Sequence, residues 1–515
     1  MRILLLLLGL ACAGCAPARV SAPPATPPAA ADALLREGCY DCLLEAQALY
    51  VAAAAGPASP ALALRRFEVA LLIAMREREL ALDDRASFSR LDALAQALPD
   101  SGAAARVVAL ARGLSPDPAT VSFLGQPSAS FPATLPLHDD DRAWLATSFL
   151  SPGVSGYLSA ALACDDQPQR RRDLPGTASG EAVAASSDLV AYRTSICQAR
   201  NKEALAALRS RSPRFVELGL FQARTEMRSI AEGGAYRARA LLADVYARFP
   251  TSPAVTYLRG HTLQVGGDCR AAVSAYDETL ALNPGHEQAQ LGRTICLSYL
   301  KRHDEAIGAA SLLIDAATRN QGEAWYWRAW NRRELKDLAA ARTDSDRAKQ
   351  LVYNTTVLTL AGMIEYDQDD LDGATRDLRE AVAIGPTNCA ARWYLALVQL
   401  KQTSWEPSAS TFATAMECYE RGADDTEARK AAVLAQKDFD LDPEYVKQQV
   451  TGFNAAIAED RAQQSAAAYN AAVNYARARD YDRAERYAAL AERDAARKPR
   501  VDDLRKAIEA ARAPR

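Results

Sequence analysis

The sequence predicts an all-α protein built as a solenoid of antiparallel helix pairs, and three observations carry that prediction. Between Pro253 and Met416 small residues recur at Gly260, Thr294, Ala329, Gly362 and Ala396, spaced 34, 35, 33 and 34 apart. Twelve positions beyond each stands a second small residue (Ala272, Ala306, Ala341, Ala374 and Ser408), so both series hold one phase through five units. Helix breakers fall between them: Gly266-Gly267-Asp268 divides the first unit and Asn283-Pro284 ends it. A period near 34 with this content marks a stacked helix–turn–helix array, and such arrays serve mainly as binding scaffolds.

From the N-terminus, Met1-Arg2 and the apolar Ile3–Leu10 read as a secretory signal, too short for a membrane span. Ala13-Gly14-Cys15 resembles the lipobox of bacterial lipoproteins, in which Cys15 would be acylated. Cys12 stands where that motif usually has Leu, and ordinary signal cleavage nearby is the alternative. The expectation is a signal over 1–14 and a Pro-rich tether over 15–31, with Pro23-Pro24 and Pro27-Pro28. By analogy with lipoprotein sorting, Ala16 after the cysteine implies export and a lipid anchor in the bacterial envelope, at the outer membrane facing the periplasm.

Residues 32–214 read as a divergent α-helical region. Gly38-Cys39-Tyr40-Asp41 is a turn before a helix over Leu43–Ala54. Ala61–Leu82 predicts a long amphipathic helix, followed by Arg90–Leu98 and Ala103–Gly113. Loops rich in Pro, Gly and Ser follow at Ser115–Pro136 and Asp165–Ser187. His138-Asp139-Asp140-Asp141 fits a helix start better than a metal site, since Asp favours the first turn. Ala143–Cys164 carries no charge, but Ser151-Pro152-Gly153 divides it into two short helices and argues against a span. Residues 215–252 form a degenerate helix pair, with Tyr236–Phe249 before Pro250 as its second helix.

The array proper covers 253–420. In its first unit, helix A runs over Ala254–Val265 and helix B over Arg270–Ala281. Only small residues let two helix axes approach to about 8–10 Å, and Leu258, Leu263, Val273, Tyr276 and Leu280 fill the space between. The phase breaks over 421–464, a helical spacer, and returns over 465–515 with Ala472, Tyr475, Tyr481, Ala484 and Ala491. The polar helix Asp502–Ala511 closes the end, as a solenoid requires.

On these residues the pattern resembles the tetratricopeptide repeat, which has a small residue at its eighth position, Ala at the twentieth and twenty-seventh, an aromatic at the twenty-fourth and Pro at the thirty-second. The unit from Pro253 keeps Gly260, Ala272, Tyr276 and Pro284, with Thr279 replacing the third Ala; the unit from Glu287 keeps Ala306 and loses both the Gly and the Pro. Later units supply Trp325, Ala329, Ala341 and Ala348, then Gly362, Ala374, Ala381 and Pro386, then Ala396, Ser408, Phe412 and Ala415. The resemblance implies a right-handed superhelix whose A helices line a concave groove for a protein or extended peptide. It places Tyr257, His261, Leu291, Tyr299, Tyr326, Trp330, Arg333, Met363, Tyr366, Trp393 and Lys401 in that groove. Trp325, Trp327 and Tyr394 are the residues a one-position register shift would exchange with them.

The chain's 61 Lys and Arg against 64 Asp and Glu give a formal charge of −3, which offers no electrostatic case for nucleic acid. Four His and no HExxH, GxSxG, P-loop or GxGxxG leave no catalytic, metal or cofactor constellation. Cys39-Tyr40-Asp41-Cys42 lacks the βαβ setting of a redox site and the second pair of a zinc site, so a structural thiol pair is expected. Cys389 opens helix A of the fifth unit and Cys418 ends its helix B, so a hairpin brings them to one end. Cys269 and Cys296 lie at a turn and in the next helix A. Each pair is either a disulfide or two buried thiols. The functional expectation is a non-catalytic envelope scaffold; a carbohydrate- or peptidoglycan-binding module, or an enzyme sited in the N-terminal half, are the alternatives.

Overall fold

The computed structural model describes residues 27–55, 59–113, 139–165, 191–193, 202–227, 234–316, 320–435 and 443–513. These residues are helical, without a strand among them. They divide into two compact units, α1–α7 and α8–α23, with Arg78–Leu82 at the end of α3 grouped in the second.

The first unit comprises α1 (Ala29–Glu37), α2 (Tyr40–Ala53), α3 (Pro60–Glu79), α4 (Arg85–Gln96), α5 (Ser101–Gly113), α6 (Asp139–Ala146) and α7 (Pro152–Asp165). Gly38 ends α1 in the left-handed conformation at φ 75°, which a Cβ would strain. Cys39 and Cys42 form a disulfide across the first turn of α2. The amphipathic reading of α3 does not hold: every residue from Phe67 to Arg76 is buried, so its middle is a core element wrapped on all sides. Residues distant in sequence, among them Gly38, Phe149, Ser151 and Tyr192, contribute to that cover, and no pattern within α3 reveals them. The buried Arg76 guanidinium donates to the Gly38 carbonyl at 3.0 Å and lies 3.2 Å from the centre of the Tyr192 ring, which offsets part of its desolvation. Among the described residues no helix is long and apolar enough to cross a membrane.

The second unit opens with α8 (Lys202–Arg211) and the pair α9 (Leu218–Glu226) and α10 (Gly234–Arg248). Five A/B pairs follow: α11/α12 (Pro253–Val265, Cys269–Leu282), α13/α14 (Glu287–Tyr299, His303–Asp315), α15/α16 (Gln321–Glu334, Leu338–Leu351), α17/α18 (Thr355–Asp367, Leu371–Ile384) and α19/α20 (Cys389–Lys401, Trp405–Ala435). The unit closes with α21 (Pro443–Arg477), α22 (Tyr481–Ala491) and α23 (Lys498–Arg512). Each helix of the five pairs packs on the next. Successive A helices also pack on one another, and no two successive B helices come as close. The array therefore curves with its A helices on the inner side.

The two small-residue series sit where the helices cross. Thr294, Ala329, Ala396 and all five members of the second series are 0 % exposed. A Cβ on Gly362 would stand 2.5 Å from Leu378, and one on Gly260 2.8 Å from the Tyr276 ring. In the fifth pair the two series touch directly, Ser408 Oγ donating to the Ala396 carbonyl at 2.9 Å.

A second periodic feature lies at the A-to-B turns. Gly267, Lys301, Lys336, Asp369 and Thr403 all have left-handed φ (83°, 59°, 66°, 61° and 56°), and Arg479 repeats this at 64° between α21 and α22. Only the first is glycine. Next in the chain come the N-caps Asp268, Asp337, Asp370 and Asp480, each accepting from a backbone N–H three residues on. A β-branched residue fits the left-handed region poorly. Thr403→Gly is therefore expected to raise stability by about 0.5–1 kcal/mol in urea titration, and Thr403→Ala, which keeps a Cβ, to bring no comparable gain.

The expected spacer is not a separate element. Trp405–Ala435 is one helix of 31 residues and Pro443–Arg477 one of 35, so both arms of this hairpin are about twice the length of their counterparts in the array. The phase broke because two repeat helices are extended.

Candidate partner-binding face

The inner side of the array is built from the A helices α11, α13, α15, α17 and α19, and the residues carried over from the resemblance divide on it. Tyr257 is half-buried, its ring 5.9 Å from His261, 4.8 Å from His286 and 6.2 Å from Tyr276. Burial pushes the His261 pKa down. Tyr299, at the end of α13, is 63 % exposed and meets the Trp327 ring edge-on at 5.9 Å. Trp330, Tyr366 and Trp393 are half-buried, Trp330 and Trp393 packed against the apolar core. Tyr366 meets Tyr394 edge-on at 5.9 Å, and Trp393 meets Phe412 edge-on at 5.3 Å.

Three of the expected groove residues belong to the core. Leu291, Tyr326 and Met363 are only 3 %, 6 % and 7 % exposed. Tyr326 stands edge-on to Trp327 at 5.2 Å, and burial raises its phenol pKa. The cause is the close approach of successive A helices, which covers side chains that a lone amphipathic helix would present.

The cations are also placed differently from the expectation. Arg333 is 8 % exposed; its Nε pairs with Asp367 at 2.8 Å and its Nη2 donates to Tyr394 Oη at 3.2 Å. Lys401 is exposed, but its Nζ pairs with Asp369 at 2.5 Å, donates to the Tyr366 carbonyl at 3.2 Å and lies 4.1 Å from that ring's centre. The hydrogen bond to Asp369 raises the Lys401 pKa. Both cations thus tie consecutive units together. Asp367 and Asp369, their counter-charges, were not anticipated. The only signal for them was acidic sequence at an A-to-B turn, which capping explains equally well.

Behind the face, among α15, α16, α17 and α18, lies a buried polar cluster. Asp344 (0 % exposed) pairs with Arg328 at 2.9 Å and Arg332 at 2.8 Å. Glu365, also 0 % exposed, lies 3.0 Å from Arg342 and 3.8 Å from Lys349, while Lys349 pairs with Asp377 at 2.7 Å. Burial first, and then the like charge of Asp377, lifts the Glu365 carboxyl from 4.5 to about 7, against the opposing pull of Arg342 and Lys349. Its folded pKa thus lies above the unfolded value. The stability this carboxyl contributes is full below about pH 4.5 and is lost as pH rises towards 7. Glu365→Gln keeps the shape without the charge, and Arg342 and Lys349 retain Asp370, Asp346 and Asp377 as partners. Relative to the parent, the variant is expected to gain stability as pH rises from about 4.5 to 7, by up to about 3 kcal/mol. Melting curves across that range would check it; a difference independent of pH would contradict it.

The cysteines also divide. Cys389 and Cys418 are joined by a disulfide, with Cα atoms 5.5 Å apart, at the open end of the α19/α20 hairpin. Cys269 and Cys296, the other pair weighed as a disulfide, are free thiols. A hydrogen bond between them lowers the Cys269 pKa and raises that of Cys296. They pack in one apolar cluster of α11–α14, as buried thiols commonly do. Cys15 lies outside the described residues.

No family model matches the chain, and no curated protein matches it. Solved structures do resemble it. MamA is 20 % identical, with 32 % of this chain and 96 % of MamA covered at a TM-score of 0.29. YrrB, described as a tetratricopeptide-repeat protein with an unusual peptide-binding site, is 17 % identical, covering 37 % of this chain and 97 % of its own at 0.30. The Cut9–Hcn1 assembly of the APC/C is 12 % identical, with 85 % and 94 % covered at 0.40. The helix pairs described above, with small residues at each crossing and a turn at each constant phase, have the all-α solenoid architecture of tetratricopeptide repeats.

Proposed function

We propose that this chain is a non-catalytic scaffold that holds a protein or extended peptide against the inner, A-helix face of its array. The observation that carries this reading is that each of four successive A helices holds an aromatic residue that is not fully buried: Tyr299, Trp330, Tyr366 and Trp393. Aromatic side chains carry much of the energy of protein interfaces at low ordering cost. With the signal-like N-terminus and the lipobox resemblance, the scaffold would work at a bacterial envelope, tethered through a lipid on Cys15.

Crosslinking in native cells tests the face. Tyr299→Ala and Trp330→Ala are suited to it, because Arg333→Ala would also cut the tie between α15 and α17. The two variants should lose trapped partners while keeping the parent's helicity, Trp330→Ala at some cost in melting temperature because its ring packs on the core; partners retained in both would overturn the assignment. Metabolic labelling with a fatty-acid probe tests the tether, with label expected on the parent and absent from Cys15→Ala. An unlabelled parent would refute lipidation.

A further inference from the structure

We infer that Cys269 and Cys296 form a reversible dithiol–disulfide pair: Cys269 exchanges with an external disulfide, Cys296 resolves it, and the bond locks the first two units of the array together.

Placement is the first argument. Cys269 is the first residue of α12, directly after the N-cap Asp268, and is partly exposed at the A-to-B turn of its unit. Cys296 lies in α13 of the next unit at 0 % exposure. Both belong to the apolar cluster of α11–α14, and their thiols are hydrogen-bonded to each other. Sulfurs in such contact need only a small approach to bond. The bonded pairs Cys39–Cys42 and Cys389–Cys418 each close one helix turn or one hairpin. Among the described residues, Cys269 and Cys296 are the thiols left free, and they meet across two successive units.

Asymmetry is the second argument. The N-terminus of a helix favours an anionic sulfur in its first turn, and the hydrogen bond from Cys296 holds the Cys269 pKa below its ordinary value. The same hydrogen bond first, then burial, then the negative charge of Cys269 push the Cys296 thiol up. The accessible sulfur is thus the nucleophile and the buried one its reserve. The Cys269 thiolate attacks one sulfur of a disulfide R–S–S–R, whose bond breaks as R–S⁻ leaves and takes a proton from water. In the mixed disulfide the hydrogen bond and the charge that kept Cys296 protonated are gone. Cys296 then attacks the Cys269 sulfur and expels the second R–S⁻, which takes the Cys296 proton. Two thiols have lost two electrons and two protons, and the external disulfide has become two R–SH. An external dithiol reverses both steps. The new bond fastens the junction that Tyr276 fills.

The test equilibrates the full chain in glutathione buffers running from fully reduced to fully oxidised, quenches with acid, alkylates, and maps peptides by mass spectrometry. Both cysteines should be alkylated in the reduced buffer. In the oxidised buffer a linked Cys269–Cys296 peptide, lighter by two hydrogen atoms, should replace them, and reduced glutathione should reverse the change. The linked form should melt above the reduced one, and Cys269→Ser should abolish that difference. Cys296→Ala should stop at a glutathione adduct on Cys269, and Cys269→Ser should leave Cys296 unmodified, both with the parent's circular dichroism. If Cys296→Ala fails to fold, early acid quenching of the parent gives the same reading, with the first adduct on Cys269. Alkylation of both thiols in every buffer, or a linked pair in every buffer, would overturn reversible exchange. A first adduct on Cys296 would overturn the order of attack.

Discussion

Replacing Tyr276 with Ala is expected to lower the stability of the array by about 3–5 kcal/mol. The ring is 1 % exposed and fills the space between three helices. A Cβ on Gly260 of its own unit would meet it at 2.8 Å, and one on Gly292 of the next unit at 2.4 Å. Deleting the ring therefore opens a cavity between two units rather than inside one. The glycines cannot collapse into it, because they have no side chain to move. Tyr276→Phe separates packing from polarity: it removes only the hydroxyl that donates to Gln264 Oε1, at a cost of about 1 kcal/mol. Urea titration should show a transition moved to lower denaturant for Tyr276→Ala and only slightly moved for Tyr276→Phe. Equal effects would mean that the hydroxyl, not the ring, holds the crossing. In a solenoid the loss should also loosen the neighbouring unit, since each unit is stabilised by its interfaces.

Opening the Cys389–Cys418 disulfide should have the next largest effect. The bond closes a loop with a sequence separation of 29. Freeing a loop of that length in the unfolded chain is worth about 3–4 kcal/mol in the chain-entropy model. The double variant Cys389→Ala/Cys418→Ala is expected to unfold the fifth unit and the long hairpin α20/α21 ahead of the rest. The Cys39–Cys42 loop spans only 3, so its loss should cost clearly less. Hydrogen exchange would resolve this by region: protection should fall over 389–435 and persist over 253–351. Uniform loss across the array would show that the disulfide is not a local clamp.

Much of this architecture could be read without coordinates. The spacings near 34 placed both series of crossing residues, and each of those positions is buried. The hairpin argument that put Cys389 and Cys418 at one end coincides with the bonded pair. Tyr276 was legible as core from its helical spacing to Val273 and Leu280. Other features escaped. The left-handed residue at each A-to-B turn is Gly only at Gly267; Lys301, Lys336, Asp369 and Thr403 carry no compositional signal. The middle of α3 looked one-sided because residues distant in sequence, such as Gly38, Phe149 and Ser151, help to cover it. Extension of α20 and α21 looked like a spacer because doubling a helix destroys the phase that identifies it.

The inner face shows the boundary most clearly. The sequence by itself determined that A helices recur, where their crossings lie, and that an aromatic stands on each of α13, α15, α17 and α19. Only the tertiary structure decided which rings stay open and which cations are spent. Tyr299 and Tyr326 look alike in a helical pattern, yet one is 63 % and the other 6 % exposed. Arg333 looks like a free anchor until Asp367 and Tyr394, 34 and 61 residues away in sequence, close on it. The physical reason is that a helical period assigns each side chain a direction from its own axis. Its burial and its charge partner are set by the neighbouring helix, whose side chains arrive a full repeat later.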